Sequence, residues 1–221
     1  MYKDNLATFN KKYVSGYGVT YPESHIIRFH RRILEYELKM SGGRILDYGC
    51  GTGTHLKYFS ENGYEPYGCD IVKHAIDKCK AIMPDYSNNF YTMLNTPTLS
   101  DCFSGKFDLI ISNQVLYYLN DNDINLLVSQ FYNLLKEGGV FFATMISLED
   151  NYSTQIVSQQ DEMSKVVAKG RVNETTYINF KTEQEVVEIF KPFSKLHLGY
   201  YEDVIREDEG VDKHNLFVGI K

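Results

Sequence analysis

The stretch from Arg44 to Gly53, RILDYGCGTG, limits the possible fold of this chain more than any other segment. Ile45 and Leu46 read as the end of a buried strand, and Asp47 stands at its carboxyl end. Gly49, Gly51 and Gly53 then permit a sharp turn and let a ligand come close, because none carries a Cβ. A helix follows from Thr54, with His55, Leu56 and Phe59. A strand that ends in an acid, enters a glycine-rich turn and leaves as a helix is how an open parallel sheet seats a nucleotide-like cofactor at its edge.

The spacing is not that of a dinucleotide site. A G-x-G-x-x-G turn lets a pyrophosphate rest on the helix N-terminus. Here Gly49 and Gly51 fit, but Thr54 holds the third place and Gly53 comes one residue early. Asp47 adds a carboxylate that repels pyrophosphate and attracts a cation. S-adenosylmethionine has no phosphate and carries a sulfonium and an ammonium. Asp47-Tyr48-Gly49-Cys50-Gly51-Thr52-Gly53 resembles motif I of the class I S-adenosylmethionine-dependent methyltransferases, whose pattern is acid-x-G-x-G-x-G.

Three further features follow in order. Tyr67-Gly68-Cys69-Asp70-Ile71 comes after a helix and the Asn62-Gly63 turn, and reads as a second strand ending in an acid. Asp70 lies 17 residues after Gly53, close to the roughly 20 expected of an acid that accepts hydrogen bonds from ribose hydroxyls. The competing reading is a cap for the next helix. Phe107 to Ile111 is a strand almost free of polar residues, as expected for one buried on both faces. Ser112, Asn113 and Gln114 stand at its carboxyl end, where such sheets bind ligands. Leu134 to Phe142, LLKEGGVFF, reads as a helix end, a glycine cap at Gly138-Gly139 and another buried strand.

The resemblance covers residues 20 to 146 well and the rest in outline. It implies a single-domain Rossmann-like α/β fold: a doubly wound sheet, mostly parallel, with an antiparallel hairpin at the edge. It also implies S-adenosylmethionine as cofactor and S-adenosylhomocysteine as product. Asp47, Gly49, Cys50, Gly51, Gly53, Thr54, Asp70, Ile71, Asn113 and Gln114 are the expected contacts. The third strand, near Phe90 to Met93, departs from the pattern. It lacks the Asp that often holds the adenine amino group, and Leu94, through its N–H, or Asn95 is expected instead. The loop after the fourth strand borders the substrate in the family, which assigns Tyr117 and Tyr118 to the acceptor.

At 221 residues one domain with a proper core is expected. Met1-Tyr2-Lys3-Asp4-Asn5 is polar, so no signal peptide is expected. No run approaches the roughly 18 apolar residues of a membrane span. Cys50, Cys69, Cys79 and Cys102 form no C-x-x-C pair, and are expected to be reduced thiols in the cytoplasm. The net charge of −6 argues against a nucleic-acid partner. Asn113-Gln114-Val115-Leu116 also lacks the prolines of the N-P-P-Y motif found in enzymes that methylate base amines. Ser112-Asn113-Gln114 lacks the acid with which catechol-type enzymes hold magnesium, so no metal is expected. The expected partner is a small-molecule methyl acceptor, with no nucleic acid and no membrane, and the protein a monomer or homodimer.

Thr20-Tyr21-Pro22-Glu23 reads as a capping box opening a helix, with Ile26, Ile33, Leu34 and Leu38 as its stripe and an end near Ser41 to Gly43. Residues 147–175 are polar, with a short helical pattern at Met163, Val166 and Val167. Thr182-Glu183-Gln184-Glu185 opens a last capped helix, and Leu196 to Val204 and His214 to Ile220 read as closing strands. The expected division is a helical cap over 1–43, a cofactor core over 44–146, a substrate lid over 147–180, and a final helix and edge strands over 181–221.

Within the cap, Tyr17, Tyr21 and Arg28 are substrate candidates, Arg28 for an anionic group. Simple packing for the tyrosines and a solvated helix face for Arg28 are the alternatives. Methyl transfer from a sulfonium is an in-line displacement, and alignment supplies most of its acceleration. A base matters only for a protonated acceptor. Tyr117, His25 and Tyr21 are the catalytic candidates, with His55 and Tyr118 nearby. The reading is methyl transfer to oxygen or nitrogen of a small polar metabolite or sugar-like precursor. A non-catalytic S-adenosylmethionine-binding module competes with it. So does a nicotinamide oxidoreductase, which Thr54 and Asp47 disfavour.

Overall fold

The computed structural model describes residues 2–16, 18, 20–93, 98–168, 174–204, 208 and 210–221. Its centre is set by the apolar runs of β1 (Gly43–Tyr48), β2 (Tyr64–Asp70), β4 (Phe107–Ser112) and β5 (Leu135–Ile146). With β3 (Phe90–Thr92), β9 (Ser194–Asp203) and β10 (Asp212–Ile220) they form one sheet in the order β3-β2-β1-β4-β5-β10-β9. The first five strands run parallel to their neighbours. β10 lies antiparallel between β5 and β9, which gives the edge hairpin. The chain leaves β1 toward β2 and returns to β4 on the other side, so a switch point opens between β1 and β4, where ligands bind in such sheets.

Helices cover both faces. α2 (Ser24–Arg28) continues as π-helical turns over Phe29–Glu37, and with α3 (Thr54–Ser60) and α4 (Lys73–Ile82) it forms one layer. α5 (Leu99–Cys102), α6 (Asp121–Leu134) and α7 (Glu183–Ile189) form the other. Side chains alternate across a strand. Ile45, Leu109, Ile111 and Phe142 therefore join Ile26, Leu34 and Phe59. Leu46, Ile110 and Phe141 join Leu127, Phe131 and Val186. Each fully buried Leu, Ile or Phe contributes about 1.5–3 kcal/mol, so the sheet that carries the switch point is also the most firmly held part of the molecule.

Four local expectations change. Thr20 and Tyr21 are not helical: Pro22 keeps the residue before it extended, and α2 starts only at Ser24, with Glu23 as N-cap and no side-chain cap bond. The helix also stops at Glu37, short of Ser41. α6 ends at Leu134 and β5 starts at once, because Leu135 turns into the core; Gly138-Gly139 lies within the strand and caps nothing. Residues 156–168 and 174–178 are not helical. They build a second antiparallel sheet from β6 (Ile156–Gln160), β7 (Met163–Ala168) and β8 (Glu174–Ile178). In β7 the small Ser164 and Ala168 are buried beside Val166. The true period is two, hidden by residues too small to register as core. Thr182 caps α7 through a reciprocal bond with Glu185, as its spacing indicates. Helix α1 (Tyr2–Val14) docks on β8.

Candidate active site

A cavity of about 240 Å³ opens at the switch point. Of the sequence candidates, Gly49, Cys50, Gly51, Thr54, Asp70, Ile71, Asn113, Gln114, Tyr117 and Tyr118 line it. The glycine turn is tied to β2 by backbone: the N–H groups of Gly49 and Cys50 both donate to the Cys69 carbonyl, at 2.8 and 3.0 Å. Asp70 locks it further, accepting from the N–H of Gly51 at 2.9 Å and of Val72 at 2.8 Å. Two of the glycines combine a positive φ with a close neighbour. Gly49 sits at φ +80°, and a Cβ there would lie 2.3 Å from Val115. Gly51 sits at φ +53°, and its Cβ would meet the Tyr13 hydroxyl at 2.7 Å.

Asp47 is not on the wall. It lies beneath the turn at 1% exposure, with Oδ2 lacking any partner. Burial, then the neighbouring Asp70, push its carboxyl up to about 8. Burial also raises Asp70, against the pull of its backbone donors. Asp47 is thus protonated near pH 7 and supports the turn from below rather than supplying the charge expected of it, and Asp70 is the acid that reaches the cavity. Gly53 is off the wall too: it faces Cys79 and Met83, where a Cβ would come within 2.8 and 2.9 Å.

The second half of the cavity centres on Glu23. Its carboxylate accepts from Asn113 Nδ2 at 2.6 Å and Gln114 Nε2 at 3.0 Å. His55 Nε2 is 3.6 Å from it, buried and without a hydrogen bond. Burial pulls the His55 imidazole down to about 4, so it is neutral near pH 7. Gln114 adopts φ +57°, uncommon for a residue with a Cβ. Its N–H donates to Thr144 Oγ1 at 2.7 Å, and its amide also reaches Tyr201 Oη at 2.6 Å. These bonds hold the strained turn and aim its amide at Glu23.

His25 is a corrected candidate. It is 8% exposed and absent from the cavity wall, separated from it by Asn113. Since Asn113 Nδ2 donates to Glu23, its Oδ1 accepts from His25 Nε2–H at 2.8 Å. The ring stacks on Tyr201 at 4.2 Å, and burial lowers its pKa. His25 thus reaches the cavity only through Asn113, which it holds in place. Tyr21, at 80% exposure, and the exposed Arg28 do not reach the cavity either, because the delayed helix start turns both to solvent. Tyr17, Leu94 and Asn95 lie outside the described residues.

The structure adds residues the sequence reading passed over. Asn5, Phe9 and Tyr13 line the cavity from α1. Their i, i+4 spacing puts them on one helix face, a signal present in the sequence. Asn5 is buried; its amide reaches the carbonyls of Tyr118 and Tyr177, and its oxygen accepts from Thr176 Oγ1 and Tyr177 N–H at 3.1 and 3.0 Å. Phe9 meets Tyr118 edge-on at 5.0 Å. Glu23 was read as a helix cap, and nothing local marks it otherwise. Outside the cavity, the donor atoms of Asp150, Asp212 and His214 lie within 4.8 Å of one another. Both Asp150 oxygens already accept backbone N–H groups, and His214 is 3.0 Å from Asp212, so the group joins β10 to the loop after β5. All four cysteines are free thiols. No helix among the described residues is long and apolar enough to cross a membrane.

Sheet order, acid-flanked glycine turn and switch-point cavity together define a cofactor-binding protein of the Rossmann-like class. The methyltransferase domain model matches residues 21–193. The chain belongs to that family, as a class I S-adenosylmethionine-dependent methyltransferase. An uncharacterised methyltransferase of Bacillus cereus is 24% identical over 160 residues, covering 72% of this chain and 73% of its own. Among solved structures, the N-methyltransferase NodS from Bradyrhizobium japonicum, in complex with S-adenosylhomocysteine, aligns at a TM-score of 0.63 and 13% identity over 99% of this chain and 98% of its own. The 1,6-didemethyltoxoflavin-N1-methyltransferase of Burkholderia thailandensis, with 1,6-didemethyltoxoflavin and S-adenosylhomocysteine bound, gives 0.64 and 16%, over 99% and 89%. These likenesses give no support to a nicotinamide oxidoreductase.

Proposed function

We propose that this methyltransferase acts on oxygen or nitrogen of a small molecule held in the Glu23–Tyr118 half of the cavity. The observation that carries the reading is the single cavity shared by the glycine turn and a set of aromatic and polar side chains from distant segments. When bound, S-adenosylmethionine supplies a methyl group activated by its sulfonium. Asp70 is assigned to the ribose, and Gly49, Cys50, Gly51, Thr54 and Ile71 to the cofactor's close approach. Asn113 and Gln114 border both ligands. Tyr117 and Tyr118 are assigned to the acceptor wall, with α1 and β6–β8 as the roof that excludes water. Alignment by this frame is the main source of rate. Its solved neighbour with 1,6-didemethyltoxoflavin bound supports an acceptor of similar scale.

The test begins with thermal melting. S-adenosylhomocysteine at about 100 times its Kd should add roughly 2.7 kcal/mol of stability, and NAD nothing. Labelled methyl groups should then pass to the small-molecule fraction of an extract. Transfer confined to its protein or RNA fraction would overturn the reading.

A further inference from the structure

We infer that the methyl acceptor is a primary or secondary amine that enters as an ammonium ion, recognised by the carboxylate of Glu23 and the aromatic wall beside it. The inference rests on the function proposed above and narrows it to one substrate class. It begins with charge. Three acidic side chains, Glu23, Asp70 and Asp123, line the cavity. Among the described residues no Lys or Arg does. The cofactor brings a sulfonium, an ammonium and one carboxylate, a net charge of +1. Its single excess charge leaves the acidic wall uncompensated, so an anionic acceptor is repelled and a cationic one drawn in.

The site is also built to hold such a group. Glu23 is half-buried and fixed from two sides by Asn113 and Gln114, which fill some of its lone pairs and leave others. His55, kept neutral, adds no competing positive charge, and its buried Nε2 lacks a partner beside the Glu23 carboxylate. Phe9, Tyr13 and Tyr118 supply ring surfaces of the kind that attract an ammonium. Among the described residues the cavity wall offers a carboxylate or a phosphate no cationic side chain.

The chemistry balances with the residues present. The bound ammonium gives up one proton, through Glu23 to water, and exposes the nitrogen lone pair. That pair forms the new N–C bond while the C–S bond breaks and its electrons stay on sulfur. The product leaves as a methylammonium beside a neutral thioether. No further co-reactant is required.

The experiment offers the enzyme and S-adenosylmethionine a matched set of acceptors: butylamine and phenethylamine, the corresponding alcohols, and the corresponding carboxylates. S-adenosylhomocysteine formation and product mass are followed. At least one amine should be methylated with kcat/KM tenfold or more above its alcohol. Glu23→Gln should cut kcat/KM for that amine at least tenfold while its affinity for S-adenosylhomocysteine, read by melting shift, stays within threefold; that shift also shows that the variant folds. Turnover confined to alcohols or carboxylates, or no amine methylated by an enzyme that binds S-adenosylhomocysteine, overturns the inference and leaves the proposed function standing. An equal loss of S-adenosylhomocysteine affinity in Glu23→Gln would reassign Glu23 to the cofactor ammonium and overturn it too. Failure of the wild-type enzyme to bind S-adenosylhomocysteine would strike the proposed function itself, and the inference with it.

Discussion

The two halves of the cavity are built by different means. The glycine-turn half is mostly backbone: N–H groups of Gly49, Cys50 and Gly51 tied to Cys69 and Asp70, all within residues 47–72. The Glu23 half is mostly side chains, gathered from α1, the α2 N-terminus, the loop after β4 and the edge hairpin. A backbone site is specified by a short run of residues and changes little without breaking. A side-chain site is specified by the whole fold and can be altered one residue at a time. The first suits a ligand common to a family, the second a ligand peculiar to one member.

That contrast can be broken at its strongest point first. Gly49→Val places a side chain where even a Cβ would lie 2.3 Å from Val115, at a φ that L residues rarely adopt. Strain of about 1–3 kcal/mol plus overpacking of a similar size should lower the melting temperature by several degrees and abolish the S-adenosylhomocysteine shift. Retained binding would mean that the turn is not the rigid element argued here.

Asp70→Ala comes next. It removes the acceptor for Gly51 and Val72 N–H and the proposed ribose contact, so S-adenosylhomocysteine affinity should drop more than tenfold. An affinity within a factor of two of wild type would remove Asp70 from the cofactor half. Asn5→Ala probes the other half. It strands the Tyr177 N–H and loosens α1 from β8, at a cost of about 1–3 kcal/mol. Turnover should fall several-fold with S-adenosylhomocysteine affinity within threefold; equal losses in both would erase the distinction between the halves.

The smallest effect is a pH slope. Asp47 is raised to about 8 in the fold, above the roughly 4 of an unfolded carboxyl. Its contribution to stability is complete below pH ~4 and lost as pH rises through about 8. His55, lowered to about 4 from 6.5, runs the other way: its contribution is present above pH 6.5 and lost as pH falls through about 4. Of these two, only Asp47 titrates above pH 6.5. Between pH 6.5 and 8 the free protein should therefore lose about 1–2 kcal/mol. Asp47→Asn should flatten that slope in urea titrations, and an undiminished slope would show that Asp47 is not its source.

The same division explains what could be read in advance. β1, the turn, β2 and β4 are legible because each is a contiguous pattern whose period or punctuation has one structural meaning. The Thr182 capping box is legible for the same reason. Glu23 was misassigned because the pattern Thr-x-x-Glu has a local meaning, and only the fold shows that Asn113 and Gln114 engage that carboxylate instead. Met163, Val166 and Val167 misled because three apolar residues suit either period, and the buried Ser164 and Ala168 decide it. That His25 lies behind Asn113 leaves no mark in sequence.

The bond set of Asn5 ties distant parts of the chain together. It joins α1 to β8 across 172 positions of chain and to the carbonyl of Tyr118 as well. Removing that side chain leaves several buried polar groups without a partner at once, each costing about 1–3 kcal/mol. Helix α1, β8 and the turn at Tyr118 are therefore held as one block. A substitution at Asn5 is thus felt at once in the first helix, the small sheet and the cavity wall.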